Sequence, residues 1–378
     1  MAVEPLSSTN ASVLPSVNRV PGVLRHLTQL SSSFAYDLGN VSYVHVYATP
    51  VQPGTPTAPP TRGVGPAGLK YIRAAQSGPE GIACVDDAAR AALLALEVYE
   101  QQRAPAARQL AEAWLSFVLY MQEPDGRFVN FIVDRRGRKN RRGATSHPGG
   151  VWWTTRAQWA LARGWRVTGR QQYLEAFRLS RLAGTTNLKV VALQVLALLE
   201  LYLTDPSLEL QLRIGKLCDR LVGCDPTFFH DRAGSAELEP WGYHQLQAVA
   251  CAGRLFSRLD YLAACERTAR TVVRPLIEGQ FGLVAPWAKS PACAYDVSSL
   301  VLGLEELYRG THRPIYREQA LVCADWLTGG NPSGARLYNP RTGMCYDGLT
   351  DGVVSQNCGA ESTIEAGFVE LARRRLAR

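Results

Sequence analysis

Two aspartates stand side by side in Cys84-Val85-Asp86-Asp87, immediately ahead of an apolar run. A glutamate, Glu361, holds the same kind of place in Cys358-Gly359-Ala360-Glu361. Acids at helix starts have two readings. An acid in the first turn caps free N–H groups and answers the helix dipole. Two acids facing one cavity can instead divide the work of glycoside cleavage. One, kept protonated by burial, donates to the leaving oxygen; the other activates water or attacks the sugar carbon. We take Asp87 and Glu361 as the acid/base pair and Asp86 as a positioning group. Sequence gives no separation between them, so retention and inversion stay open. Asp296, behind Tyr295, is a further candidate, whereas Asp125 in Pro-Asp-Gly and Asp347 in Tyr-Asp-Gly read as turns.

Aromatic residues gather at the same kind of position. Trp152, Trp153, Trp241, Tyr243, Trp287 and Tyr295 lie near expected helix starts rather than in helix middles. Each alone reads as core packing; several at one mouth read as a cleft for the apolar faces of sugars. Arg156, His244 and Asn357 complete the expected substrate-binding set, with Trp152, Trp153, Trp241, Tyr295 and Asp296. His244 reads equally well as a structural histidine with its hydrogen bonds satisfied. The six histidines are scattered and no Cys/His cluster has zinc spacing, so no metal is expected. Dinucleotide, P-loop and G-x-S-x-G signatures are absent, and no cofactor is expected.

These residues require a scaffold that brings helix starts together. From about residue 80 the chain is a succession of apolar segments with helical spacing, separated by short breaker clusters. The spacing predicts helices over 85–102, 105–122, 152–168, 170–183, 187–203, 207–222, 242–257, 259–276, 294–309, 313–328 and 359–375, with one more over 21–33. They pair: the first member is apolar on most faces, the second amphipathic. Six such hairpins closed in a ring make an all-α (α/α)6 toroid in which all inner helices start at one end. Their free N–H groups and positive dipole ends then surround one cavity. We expect residues 1–20 to be disordered and 21–378 to form a single barrel domain. Within it we expect an irregular N-terminal segment, a Pro/Gly/Thr loop over 49–68 and one small β-hairpin near Phe128–Val133.

The 378 residues carry a formal net charge of +8, which points only weakly to an anionic partner. The dense basic run Arg135–Arg142 reads as a solvated hairpin tip. Nucleic acid is not the expected partner. No apolar run reaches membrane-span length, and the first twenty residues lack a basic segment followed by an apolar one, so neither a span nor a cleaved secretion signal is expected. Nine cysteines without a C-x-x-C pair fit buried reduced thiols and a cytoplasmic setting.

The stretch 325–372, ending DGLTDGVVSQNCGAESTIEAGFVELA, resembles a family of bacterial six-hairpin glycosidase-like proteins. VDDAARA at 85–91, PDGRFVNF at 124–131 and AYDVSSLVLGLEELYRGT at 294–311 are similar to that family's corresponding segments, so the likeness spans roughly residues 80–375. Members are often found beside or fused to glycosyltransferases. The resemblance implies carbohydrate chemistry, with Asp86, Asp87 and Glu361 at matching positions. The chain departs from the pattern before its second inner helix, where TSHPGGVWWTTRAQWAL replaces an acidic Ser-Glu-Asp. It also carries Tyr338-Asn339-Pro340 in place of Tyr-Asp-Pro.

Three function classes follow. The leading expectation is a glycoside hydrolase acting on an oligosaccharide. An α/α-barrel terpene cyclase is the second, since Cys84-Val85-Asp86-Asp87 falls one aspartate short of the D-x-D-D acid motif. Sugar epimerases share the barrel but rely on paired histidines, and only His244 stands at a helix start. The third is a non-catalytic sugar-binding partner of a glycosyltransferase.

Overall fold

The computed structural model describes residues 14–37, 39–51, 64–65, 68–180, 184–232, 238–282 and 289–378. The helices are α1 (Gly22–Gln29), α2 (Val85–Gln102), α3 (Pro105–Met121), α4 (Val151–Thr168), α5 (Gln171–Leu179), α6 (Leu188–Thr204) and α7 (Leu208–Val222). They continue with α8 (Gln245–Leu255), α9 (Leu259–Thr268), α10 (Arg274–Glu278), α11 (Ala294–Thr311), α12 (Pro314–Asp325) and α13 (Ala360–Leu376).

Local chemistry sets many of these ends. Cys84 and Asn187 cap α2 and α6 through their side chains. Pro105 and Pro314 open α3 and α12, where a missing N–H costs nothing. Gly169, with φ of 71°, closes α4 in the left-handed region.

The inner helices close a ring. Helix α2 packs on α4, α4 on α6, α6 on α8, α8 on α11, α11 on α13, and α13 back on α2. Outside them, α3, α5, α7, α9 and α12 each cover the inner helix that precedes them, and α1 covers α13. Burial follows the layers. Every residue of α6 from Leu188 to Leu201 is buried, whereas α7 fully buries only Ile214, Cys218 and Leu221, one stripe at helical spacing. This is the expected (α/α)6 toroid.

The differences are local. Residues 31–33, expected to extend α1, begin a strand over Ser31–Tyr36 that pairs antiparallel with Gly39–Val44 through a turn at Asp37. Around 128–133 there is no self-contained hairpin. Phe131–Ile132 instead pairs with Ala83–Cys84 and so fixes the entry to α2. The flanks of the 49–68 loop form a small sheet in which Tyr47–Pro50 pairs with Leu69–Ile72, with Val64–Gly65 on the other side; 52–63 and 66–67 lie outside the described residues. The helix expected over 259–276 widens into a π turn at Ala269–Val273 before α10. Pro275 follows at once, and its missing N–H breaks the ordinary ladder there. Of the N-terminal 1–20, only 14–20 are described, and Val17–Arg19 forms a 3-10 turn. The basic run is an ordered turn. Lys139 and Arg141 both reach Glu123, at 3.0 and 3.1 Å, and Tyr120 donates to the Gly137 carbonyl at 2.8 Å.

All nine cysteines are free thiols. No helix among the described residues is long and apolar enough to cross a membrane.

Candidate active site

The starts of α2 and α13 deliver their acids to one point. Asp86, Asp87 and Glu361 each bring one carboxylate oxygen within 4.8 Å of the other two. Arg90 stands at the centre. Its Nη2 lies 3.0 Å from Asp86, 2.8 Å from Asp87 and 3.1 Å from Glu361, and its Nη1 donates to Glu365 at 2.8 Å. The guanidinium therefore fills the place a bound cation would take among these acids. Glu365 also accepts a 2.5 Å hydrogen bond from the Ser298 hydroxyl of α11.

The three acids differ in access. The Glu361 side chain is 27% exposed, that of Asp86 12% and that of Asp87 4%, so Glu361 is the group that faces the mouth. Burial pushes the Asp87 carboxyl up to about 6 against the pull of Arg90, and it pushes Glu361 up to about 7. Neighbouring acids add to both shifts, while the Trp241 indole, donating to Glu361 Oε1 at 3.1 Å, moderates the second. Glu361 thus holds a proton near neutral pH, as a general acid must.

A second guanidinium lies beneath. Arg156 of α4 is fully buried, its Nε 3.1 Å from Asp86 Oδ1, and it lies against the rings of Trp152, Trp159 and Tyr295. Burial and the like charge of Arg90 pull it down to about 10, against the attraction of Asp86. His244 shares the layer. It bonds Tyr295 through Nε2 at 3.2 Å and Gln247 through Nδ1 at 2.8 Å. Burial, reinforced by Arg156, drops it to about 3, so the imidazole is neutral.

Below this layer the axis is nearly filled. A cavity of about 30 Å3 lies among Leu93, Trp159, His244, Leu302 and Phe368, room for one or two waters. The far end of the barrel is shut by a second charge network. There Arg163 and Arg166 of α4 meet Glu100 of α2 at 2.8 and 2.7 Å, and Arg166 meets Glu200 of α6 at 2.5 Å. Arg375 of α13 joins Glu97 of α2 to Glu305 of α11.

The expected aromatics divide. Trp152 and Trp241 stack with ring centroids 5.2 Å apart and an 18° tilt, and Trp241 meets the Tyr295 ring edge-on at 4.9 Å. They form a wall at the mouth. Trp153 turns away and donates to the Phe128 carbonyl at 2.8 Å; its task is to hold the 128–150 loop. Tyr243 likewise anchors a loop, through Phe229 O at 2.6 Å. Trp287 lies outside the described residues.

Two other expected binding residues are occupied with backbone. Asp296 accepts from the N–H groups of Ala292 and Cys293, at 2.6 and 2.9 Å, as the third residue of a capping box. Asn357 accepts from Ala48 N at 3.1 Å. Gly359 leaves room for the backbone of Val46 and Tyr47, since a Cβ there would stand 2.0 Å from Val46 O. Asp125 pairs with Arg127 in an exposed turn, as read from sequence, whereas Asp347 accepts from the Ser362 hydroxyl at 2.5 Å and steadies the first turn of α13.

Sequence reasoning missed Arg90, Glu365 and Tyr47. Arg90 carried a signal, because it lies four and three residues after the two aspartates, the spacing of helical ion pairs. Tyr47 carried none. It comes from the Tyr47–Pro50 strand and faces the acids, whose charges reinforce burial in pushing its phenol well above the usual value.

No family model matches the sequence, and no curated protein matches it. Solved structures do. Cellobiose 2-epimerase from Bacillus thermoamylovorans B4167 superposes with a TM-score of 0.61 at 13% identity, covering 78% of this chain and 89% of that one. A D-mannose isomerase gives 0.60 at 8%, covering 79% and 88%. The GH76A alpha-1,6-mannanase from Salegentibacter sp. HEL1_6 gives 0.53 at 14%, covering 81% and 93%. At these identities the likeness shows the shared (α/α)6 fold.

Proposed function

We propose that this chain is a carbohydrate-active enzyme that cleaves a glycosidic bond, with Glu361 as proton donor. The observation that carries this reading is Glu361 itself. It is the acid open to the mouth, it holds its proton near neutral pH, and the indole that orients it belongs to an aromatic wall suited to a sugar face. The names of the structural neighbours, both epimerases and glycosidases, agree with a sugar substrate.

The second carboxylate in this proposal is Asp86. Asp87, the sequence-based choice, lies behind Arg90 at 4% exposure, too enclosed to meet substrate. Its part is to position Arg90. The acids' nearest oxygens lie within 4.8 Å. A spacing no wider than that is compatible with the roughly 5–5.5 Å of retaining glycosidases and falls short of the roughly 6.5–9.5 Å that admits a water in inverting ones. The reaction is then a double displacement. Glu361 protonates the leaving oxygen while an Asp86 oxygen bonds to the anomeric carbon. Water then attacks that carbon, Glu361 takes the water's proton, and Asp86 is released.

One observation favours a second reading. All four acids of the cluster are already engaged by Arg90 or Arg156. A protein that binds sugar without turnover, including one serving a glycosyltransferase, tolerates such a lock better than an enzyme does. Epimerisation and terpene cyclisation fit the site less well. Epimerisation needs a base at a sugar C–H, and His244 is sealed at 2% exposure. The 30 Å3 axis leaves no room for an isoprenoid chain.

The test is thermal stability against a panel of oligosaccharides and aryl glycosides, with product analysis on every hit. A stabilising sugar cleaved with retention by the wild type, and left intact by Asp86→Asn and Glu361→Gln, is the expected result. A stabilising sugar that stays intact with the wild type supports the binding reading. Unchanged turnover in the two variants refutes the assignment.

A further inference from the structure

Beside the acid cluster, between the starts of α4, α6 and α8, lies a recess of about 210 Å3 bordered by Trp152, Lys189, Asp231 and Trp241. It is smaller than the roughly 300–1,000 Å3 pockets that take drug-sized ligands. Its floor is built and saturated. Lys189 is buried, and its ammonium meets the carbonyls of Glu239 and Trp241, each at 2.8 Å, and Asp231 at 3.1 Å. All three of its protons are spent, so it shapes the recess and offers no donor to a ligand.

The groups left over are at the rim. Asn187 uses its Oδ1 to cap α6, accepting from Lys189 N at 3.0 Å and Val190 N at 3.4 Å, and its amide N–H groups have no partner among the described residues. Arg232 is exposed and has no acid partner among the described residues. Asp231 Oδ1 accepts only a long bond, 3.4 Å, from Gln245. In the wall the Trp152 indole N–H is buried without a partner among the described residues. Among the described lining residues Lys189 and Arg232 stand against Asp231 and Glu239, and Glu239 also meets Lys289 at 3.1 Å.

We infer that this recess is a subsite for one neutral pyranose ring, held by Asn187 and Arg232 as donors, by Asp231 as acceptor, and by the Trp152–Trp241 wall. The inference rests on the glycosidase reading for its substrate class. A balanced set of donors and acceptors around an aromatic wall matches a polyol ring with two apolar faces, and it gives a carboxylated sugar no advantage. The indole of Trp241 borders the recess and also bonds Glu361, which places the ring next to the proton donor.

The test uses the full chain as Glu361→Gln, so that binding is read without turnover. The probes are methyl glycosides of glucose, mannose and galactose, with methyl glucuronide for comparison. Tryptophan fluorescence reports affinity and the melting temperature without sugar reports folding. Asn187→Asp keeps the capping oxygen and removes the amide donor; Arg232→Gln removes the guanidinium at an exposed site. Each is expected to weaken the best neutral glycoside by about three- to tenfold, the loss of one hydrogen bond, with the sugar-free melting temperature held. Unchanged affinity in both variants, a preference for the glucuronide, or binding of none of these probes overturns the subsite. The two readings fail separately. If the wild type cleaves glycosides and the rim variants leave KM unchanged, the subsite falls alone. If a neutral glycoside binds through Asn187 and Arg232 but no substrate is ever cleaved, the glycosidase reading falls alone.

Discussion

Glu361→Gln removes one titrating group and keeps its volume. In the folded protein Glu361 is pushed up to about 7 from the usual 4.5, chiefly by burial. A carboxyl that holds its proton more tightly folded than unfolded stabilises the fold fully below the unfolded value, and that contribution is lost as pH rises to the folded one. Over about 2.5 units at roughly 1.36 kcal/mol each, the change is about 3 kcal/mol. The stability profile of the wild type alone will not display it, because buried histidines oppose it. His45 is lowered to about 4 and His244 to about 3, both by burial, so each loses stability as pH falls below 6.5. The informative quantity is the wild-type stability minus that of Glu361→Gln at each pH, in which the histidines cancel. Urea unfolding at pH 5, 6, 7 and 8 gives it directly. We expect the difference to fall by about 2–3 kcal/mol from pH 5 to pH 8, nearly all of it below pH 7. A difference constant to within about 0.5 kcal/mol across that range would show that Glu361 does not hold its proton near neutrality, and the proton-donor assignment would go with it.

Four further outcomes are expected. Arg90→Met strips the hub from four acids and should cost about 3–5 kcal/mol at pH 8, and less at pH 5, where Asp87 and Glu361 hold their protons; equal losses at both pH values would contradict the hub. Trp241→Phe removes the indole N–H that draws the Glu361 carboxyl down, so the alkaline limb of the pH–rate profile should move to higher pH, and an unmoved limb would show that the bond is idle. Gly359→Ala forces a Cβ to within 2.0 Å of Val46 O and should shift the start of α13, lowering stability and turnover together, whereas Gly39→Ala meets nothing within 4 Å and should do neither. Arg163→Met, at the shut end of the barrel, should lower the melting temperature and leave KM for any substrate unchanged; a raised KM would argue that the lower network reaches the site.

The helices were legible because their signals are local. The expected 85–102 and the observed Val85–Gln102 coincide, since apolar spacing, the Cys84 cap and the turn at Arg103 all lie within one window. The strands were not. Tyr47–Pro50 forms because residues 69–72 lie beside it; Ala48 O, and Val46 O just ahead of the strand, accept from Cys358 N and Ala360 N, more than three hundred residues on. No window of sequence holds that information, so Tyr47 went unseen. The site was half legible for the same reason. Helix starts announced Asp86, Asp87 and Glu361, but the choice among them depends on which acid faces solvent, a property of the closed ring. Asp296 and Asn357 stand at equally good starts, and tertiary contacts spend them on backbone.

A pattern inside the inner helices would have shown more. Residues seven apart on an α-helix lie two turns and roughly 10.5 Å apart on nearly the same face. In α2 the pair Arg90 and Glu97 has that spacing, in α4 Arg156 and Arg163, in α11 Ser298 and Glu305, and in α13 Glu361 and Arg375 are two such steps apart across Phe368. The upper members meet around Arg90 and the lower members in the network at the shut end, with Leu93, Trp159, Leu302 and Phe368 between the two layers. A charged residue in an otherwise apolar helix is expensive unless it finds a partner, and a seven-residue repeat of such residues marks the stripe where partners from neighbouring helices converge. That stripe is the barrel axis. Two layers of charge holding one apolar belt accord with the narrow interior: Arg90, Arg163, Arg166 and Arg375 each meet acids from two helices, and Arg156 ties α4 to Asp86 of α2. On the proposed reading a substrate is confined to the open end, where Glu361 and the Trp152–Trp241 wall stand.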